Sequence, residues 1–202
     1  SGSVRLYHSA TGQIRVGLDA AVQGGDGYLT LDAYTGAVPE ADATRFKYAA
    51  SGTVFKVRAA DETRLPALHQ QQLVLVQEDA NGRVQNATTA QLAGALDDLY
   101  AAAEAVPDLG ATVANGQTSF KLWAPTAQAV SLVLTTPVNG APTLSRTNTE
   151  PMVRDAATGV WRLAKPGSLQ GATYRYQVQV FVRGVGLVRN LVTDPYSLGL
   201  TM

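Results

Sequence analysis

The sequence predicts an all-β chain of two β-sandwich-like domains joined by one short helical segment. Three observations carry this. Short runs of alternating apolar and polar residues recur along most of the chain. Gly-, Asn-, Asp- and Pro-containing turns separate them. One stretch alone, Thr88 to Ala105, changes to an Ala- and Leu-rich pattern of helical period. The chain has 202 residues, room for one large domain or two of about 100 residues each. The change of period sets the expected division, residues 1–105 with the helix at its end and residues 106–202.

Taken in order, Val4-Arg5-Leu6-Tyr7-His8 alternates and Ala10-Thr11-Gly12 turns the chain. Tyr28 to Tyr34 alternates next, with Leu29 and Leu31 on the face suited to a core and Tyr28, Thr30, Asp32 and Tyr34 on the other. Thr53 to Arg58 and Gln72 to Gln77 read as further strands. Asn81-Gly82 is a hairpin signal, since both residues accept positive φ, and Arg83 to Asn86 reads as the return. In the helical stretch Leu92, Leu96, Leu99 and Ala103 share a face. Thr88 or Thr89 is the expected cap, Gly94 divides the stretch into two short pieces, and Pro107 and Gly110 end it.

Strand patterns resume at Ser119–Trp123, Ala129–Leu134 and Gly159–Leu163, with a turn at Asn139-Gly140. The longest spans Thr173 to Arg183. Period-2 reasoning puts Tyr174, Tyr176, Val178, Val180 and Val182 on its core face, and Arg175, Gln177, Gln179, Phe181 and Arg183 on the other. Gly184 and Gly186 predict a hairpin returning through Val192.

Composition excludes several classes. Sixteen basic residues balance 16 acidic ones, so neither nucleic acid nor an anionic membrane is an expected partner. No apolar run approaches the roughly 20 residues of a membrane-spanning helix, and the opening Ser1-Gly2-Ser3 does not read as a leader. The chain has no cysteine, hence no disulfide or thiolate chemistry. His8 and His69 stand far apart without ligand spacing. No metal and no cofactor are expected. Asn86-Ala87-Thr88 is a lone sequon, read as chance.

Longer strings carry a resemblance. LGATVANGQTSFKLWAPTAQAVSLVL (109–134) is followed by Asp155, Gly159-Val160-Trp161, Gly171, Tyr174-Arg175-Tyr176 and Asp194-Pro195-Tyr196-Ser197 in that order. The set resembles carbohydrate-binding module family 48. The string QNATTAQLAGALDDLYAAAEA (85–105) resembles the segment that precedes this module in bacterial pullulanases, and residues 4–84 their extra β-rich N-terminal domain. The resemblance implies an immunoglobulin-like fold for the sandwiches. It also implies an α-glucan partner (starch, glycogen, pullulan or a malto-oligosaccharide) and a second partner, the family 13 glycoside hydrolase barrel of the parent enzyme. A barrel of about 250 residues does not fit within this chain, and the Gly-x-Arg-x-Asp nucleophile motif of that family is absent from it. Glycoside hydrolysis needs two carboxylates across one bond. Asp97-Asp98, the one adjacent acidic pair in the helical stretch, diverges by about 100° on a helix. The fragment is therefore expected to be non-catalytic. A secreted or cell-surface location is expected, with an intracellular one left open.

In sugar-binding members of the resembled family, two tryptophans and a lysine form the site. Arg175 stands where the lysine falls, Leu191 where one tryptophan falls, and Thr135 to Leu144 has none. Candidate sugar contacts are Arg175, Phe181 on the polar strand face, and Tyr28 and Tyr34; Tyr7 and Tyr48 are further aromatics of that domain. Each also reads as an ordinary surface residue. Trp123, Pro125, Pro195 and Tyr196 are candidate contacts with the barrel, and Trp123 equally a packing residue. Trp161, Tyr174 and Tyr176 read as core.

Overall fold

The computed structural model describes residues 2–46, 52–90, 93–139 and 141–199. The expectations at Tyr48, Leu92 and Gly140 lie outside them. Contacts divide the chain into two units, one of residues 1–9, 13–68 and 73–90, the other of residues 10–12, 69–72 and 91–202. The helical stretch, expected at the end of the first domain, thus groups with the second.

The first unit holds β1 (Ser3–Ser9), β2 (Gly27–Ala33), β3 (Phe55–Lys56), β4 (Gln72–Glu78) and β5 (Val84–Thr89). Among the described residues they form one five-stranded sheet in the order β3-β2-β1-β4-β5. The strand predicted over Thr53–Arg58 shrinks to two residues. On one face Val74 and Val76 pack with Ile14 and Val84, flanked by Tyr7, Val22 and Ala87. Leu29, Leu68 and Leu73 are buried as well. Short helices α1 (Glu40–Arg45) and α2 (Leu65–Leu68) belong to this unit. The Asn81-Gly82 turn uses only one positive φ, at Gly82. The Asp79 carboxylate does the rest, accepting hydrogen bonds from the backbone N–H groups of Asn81 and Arg83.

In the second unit β6 (Gly110–Ala114), β7 (Gln117–Trp123), β10 (Val153–Arg154) and β11 (Val160–Pro166) make one sheet, ordered β10-β11-β7-β6. The other, β13-β12-β8-β9, comprises β8 (Ala127–Val138), β9 (Ala141–Pro151), β12 (Thr173–Val182) and β13 (Gly186–Val192). Every strand pair is antiparallel. Their inward residues, Phe120, Leu122, Val130, Leu132, Leu134, Trp161 and Tyr176, join Ala127 and Met152 in a single core cluster. Burying apolar area of this kind contributes about 25 cal/mol per Å². Three rings lock the middle of it: Tyr174 meets Phe120 and Tyr176 edge-on at 5.0 and 5.7 Å.

The helical stretch is shorter than its pattern. β5 runs on to Thr89, so Thr88 and Thr89 are strand residues rather than caps. The helical residues themselves are α3 (Ala93–Leu99) and a 3-10 turn over Ala101–Ala105. Tyr100, 2% exposed, fixes this stretch to its unit: Arg154 donates to its hydroxyl at 2.6 Å and lies over its ring.

Candidate functional site

The outward face of the β13-β12-β8-β9 sheet holds the first candidate group. In the antiparallel register Arg175 stands opposite Val133, Gln177 opposite Ser131 and Leu191, and Thr135 opposite Thr147. Leu132, Leu134 and Tyr176, one residue out of phase, are buried. The period of two therefore turns Arg175 and Gln177 to the outside. A cavity of about 500 Å³ opens at the Arg175 end, lined among others by Thr135, Thr147, Thr173, Thr193 and Ser197. Thr135 and Thr147 share a hydrogen bond of 2.8 Å between their hydroxyls. Arg175 makes no hydrogen bond or ion pair with the described residues. Hydroxyls that both donate and accept, beside a free guanidinium, suit a polyhydroxylated ligand. No tryptophan lines the cavity, and Leu191 is 45% exposed on the same face.

Asp194 lies at one side of this cavity, only 4% exposed. It accepts from the Tyr174 hydroxyl at 2.5 Å and from the Tyr196 backbone N–H at 2.9 Å. Burial, reinforced by that carboxylate, pushes the Tyr174 hydroxyl far above the usual phenol range. Tyr176 is pushed up in the same way, burial first and the Asp194 charge second. The Asp-Pro-Tyr string is thus the clasp that ties the end of β13 to Tyr174 of β12.

Phe181 does not present a free ring. Between Gln179 and Val180 the pairing with β8 slips from Ala129 to Ala127, leaving Gln128 as the extra residue. On β8 this brings Ala127 into the core beside Val130, Leu132 and Leu134. Val182, expected in the core, is 36% exposed, and Phe181, expected on the polar face, is half-buried. Its ring lies so close to Gly12 that a Cβ there would sit 2.8 Å from it.

The second group is in the first unit. Tyr28 is 43% exposed on β2 and Tyr34 39% exposed beyond that strand's end. The two do not meet. Tyr34 folds onto its own turn, donating to the Ala37 carbonyl and covering Gly36. Tyr28 instead stands beside Tyr7, its register partner on β1, with ring centroids 5.2 Å apart. The Arg5 guanidinium lies 4.2 Å from the Tyr28 ring centre. Arg5 in turn pairs with Glu78 at 2.7 Å. Glu78 is 1% exposed and also accepts from the hydroxyls of Tyr7, at 2.6 Å, and Ser3, at 3.3 Å. Burial, then the bond to Glu78, raises the Tyr7 hydroxyl's pKa. Further along the face Arg58 grips Asp32 with two nitrogens, holding its carboxyl below the usual range. Arg5, Tyr7 and Glu78 escaped the pattern reading. A signal was present: Glu78 continues the inward phase of Val74 and Val76, and an acid in that phase demands partners.

Of the four residues expected at a junction, Trp123, Pro195 and Tyr196 are exposed. Pro125 is not. It is buried under Gly159, where a Cβ would sit 2.8 Å from the proline's own, and its carbonyl accepts from Arg154. Trp123 is 36% exposed and anchored by its indole N–H on the Thr158 carbonyl. Trp161 is 6% exposed and donates to Ala124.

Residues 1–98 match the family described as pullulanase N2 domain, and residues 108–197 that described as carbohydrate-binding module 48, the isoamylase N-terminal domain. The chain pairs a pullulanase N2 domain with a family 48 module. Over 199 residues it is 34% identical to a pullulanase of Klebsiella pneumoniae, covering 98% of this chain and 17% of that one. Over 205 residues it is 33% identical to the chloroplastic pullulanase 1 of Arabidopsis thaliana, covering 99% of this chain and 20% of that one. The chain thus spans about a fifth of the length of these relatives. The crystal structure of a K. pneumoniae pullulanase complexed with maltotriose superposes with a TM-score of 0.79 at 34% identity, over 96% of this chain and 18% of that one. The apo form gives 0.78 over 96% and 20%. The N2 domain and the family 48 module therefore form an accessory region of pullulanase type. The Tyr28 group belongs to the former and the Arg175 cavity to the latter.

Proposed function

We propose that this region is a non-catalytic α-glucan-binding element of a pullulanase-type debranching enzyme, holding starch, glycogen, pullulan or a malto-oligosaccharide weakly while an adjoining barrel performs hydrolysis. The observation that carries the reading is the Arg175 cavity, hydroxyl-lined and fitted, on the exposed face of the family 48 module, with a cation that has no partner among the described residues. The aromatic residue that lines the cavity, Tyr174, has its ring packed against Phe120 and Tyr176, so the contact rests on hydrogen bonds, which compete with water and contribute only about 0.5–1.5 kcal/mol each. Millimolar affinity follows, useful because tethering raises the local concentration of polymer at a linked barrel. The non-catalytic role is supported by the acids the fold encloses: Glu78 and Asp194 are each consumed by hydrogen-bond partners.

Isothermal titration of the chain with maltoheptaose, together with a starch pull-down, tests this. Millimolar binding that Arg175→Ala weakens supports it. No binding at millimolar ligand in either assay overturns it, as does release of reducing ends from pullulan by this chain alone. A second reading is favoured by Trp123, Pro195, Tyr196 and the wholly exposed Leu198: the region packs on and stabilises the barrel. There, Tyr196→Ala in the parent enzyme lowers its thermal stability and leaves glucan binding unchanged.

A further inference from the structure

We infer that the N2 domain carries a second glucan contact of its own, a stacking platform made by Tyr28 and set in place by Arg5, Tyr7 and Glu78. This rests on the reading of the region as an α-glucan binder and adds an exposed ring, since the ring that lines the Arg175 cavity, Tyr174, is packed against Phe120 and Tyr176. Three features point to it. First, the ring is exposed yet held. It leans on Tyr7 and on the Arg5 guanidinium, and Arg5 is fixed by a carboxylate with 1% exposure. A ring held beforehand loses little freedom on binding. Second, polar groups continue the platform along one strand face. Thr30 and Asp32 follow Tyr28 at steps of two, beside Arg5 and Ser3 of β1, over about 13 Å at strand rise. That is room for a short oligosaccharide. The Tyr28 hydroxyl itself bonds to none of the described residues. Third, the charges around the ring are matched: Arg5 is answered by Glu78 and Arg58 by Asp32, which leaves Lys56, the register partner of Asp32 at the far end of the face, as the cation without an ion pair among the described residues. Ion pairs, hydroxyls and an open ring are the equipment for a neutral polyhydroxylated chain.

The test is an amide-resolved NMR titration of the 202-residue chain with maltoheptaose to millimolar concentration, repeated on Tyr28→Ala and Tyr28→Phe. Shifts are expected at residues 28–32 and 3–7, with affinity at that locus falling roughly tenfold in Tyr28→Ala and staying near that of the native chain in Tyr28→Phe. Arg175→Ala leaves these shifts unchanged. Shifts confined to the surroundings of Arg175, Thr135 and Thr147 overturn the platform and leave the glucan-binding reading standing. Shifts at neither locus overturn both. A Tyr28→Ala chain that unfolds does not decide the matter alone, and Tyr28→Leu, which keeps bulk without a planar ring, then carries the same expectation of lost affinity.

Discussion

Trp161 offers a direct measure of how the family 48 module is held together. It is 6% exposed within the cluster that also contains Phe120, Leu122 and Tyr176, and its indole N–H donates to the Ala124 carbonyl at 2.9 Å. Truncating a buried tryptophan to alanine costs about 3–5 kcal/mol through lost transfer energy and the cavity left behind. The Ala124 carbonyl also loses its side-chain donor. In a unit of this size, about 1 kcal/mol corresponds to roughly 4 °C in Tm, so Trp161→Ala is expected to lower the module's Tm by about 12–20 °C. The assay is simplified by composition. The chain has two tryptophans, both in this module, so a fluorescence melt followed through the remaining Trp123 reports on it and not on the N2 domain. Trp161→Phe keeps most of the volume and drops the N–H, and is expected to cost about 1–2 kcal/mol. A fall in Tm below about 5 °C for Trp161→Ala would refute the placement of this ring as the filling of the core.

The two core tyrosines separate by their hydroxyls. Tyr174→Phe removes a bond to the Asp194 carboxylate and is expected to cost about 1.5–3 kcal/mol, whereas the buried Tyr176 hydroxyl makes no hydrogen bond with the described residues and Tyr176→Phe is expected to be neutral or stabilising in urea melts. Both hydroxyls have pKa values raised in the folded state from the usual value of 10.0, so above pH 10 the unfolded chain sheds these protons first and the module loses stability as pH climbs further; urea midpoints across pH 9–11 check this, and the double phenylalanine variant should flatten the decline. Gly159 has φ of +67° and no space for a Cβ against Pro125 and Tyr100, so Gly159→Ala is expected to cost about 1–3 kcal/mol by the same fluorescence melt.

Much of the fold was legible because alternation and burial are one constraint. Where a strand has one face in a core, its apolar residues must recur at two, and Phe120, Leu122, Leu132, Leu134, Trp161 and Tyr176 all obey. The misreadings lie where something outside the strand decides. Phe181 keeps its place in the alternation of β12, whose pairing with β13 runs unbroken through Val182, and is half-buried because Gly12 packs against its ring; nothing in the β12 sequence records that neighbour. The Ala/Leu-rich stretch failed differently. Its period was helical throughout, but pairing with β4 carried β5 to Thr89, a tertiary demand that overrides local propensity. Pro125 was placed by its neighbours in a string, whereas its burial depends on the positive φ of Gly159, more than 30 residues away.

The outward faces obey no such constraint, so the string that resembles the family says where a ligand residue would fall and not whether the surface works. Arg175 and Tyr28 illustrate the difference. Arg175 is outward and without a partner among the described residues, which alone does not set it apart from an ordinary surface arginine. Tyr28 rests on a buried charge. Taking Glu78 out of water is costly, and a well-packed apolar set at the positions of Arg5, Tyr7 and Glu78 would be as stable or more so. Stability alone therefore does not account for this network. Its evident effect is to fix the guanidinium against one exposed ring, and fixing a ring in place matters most when something stacks on it.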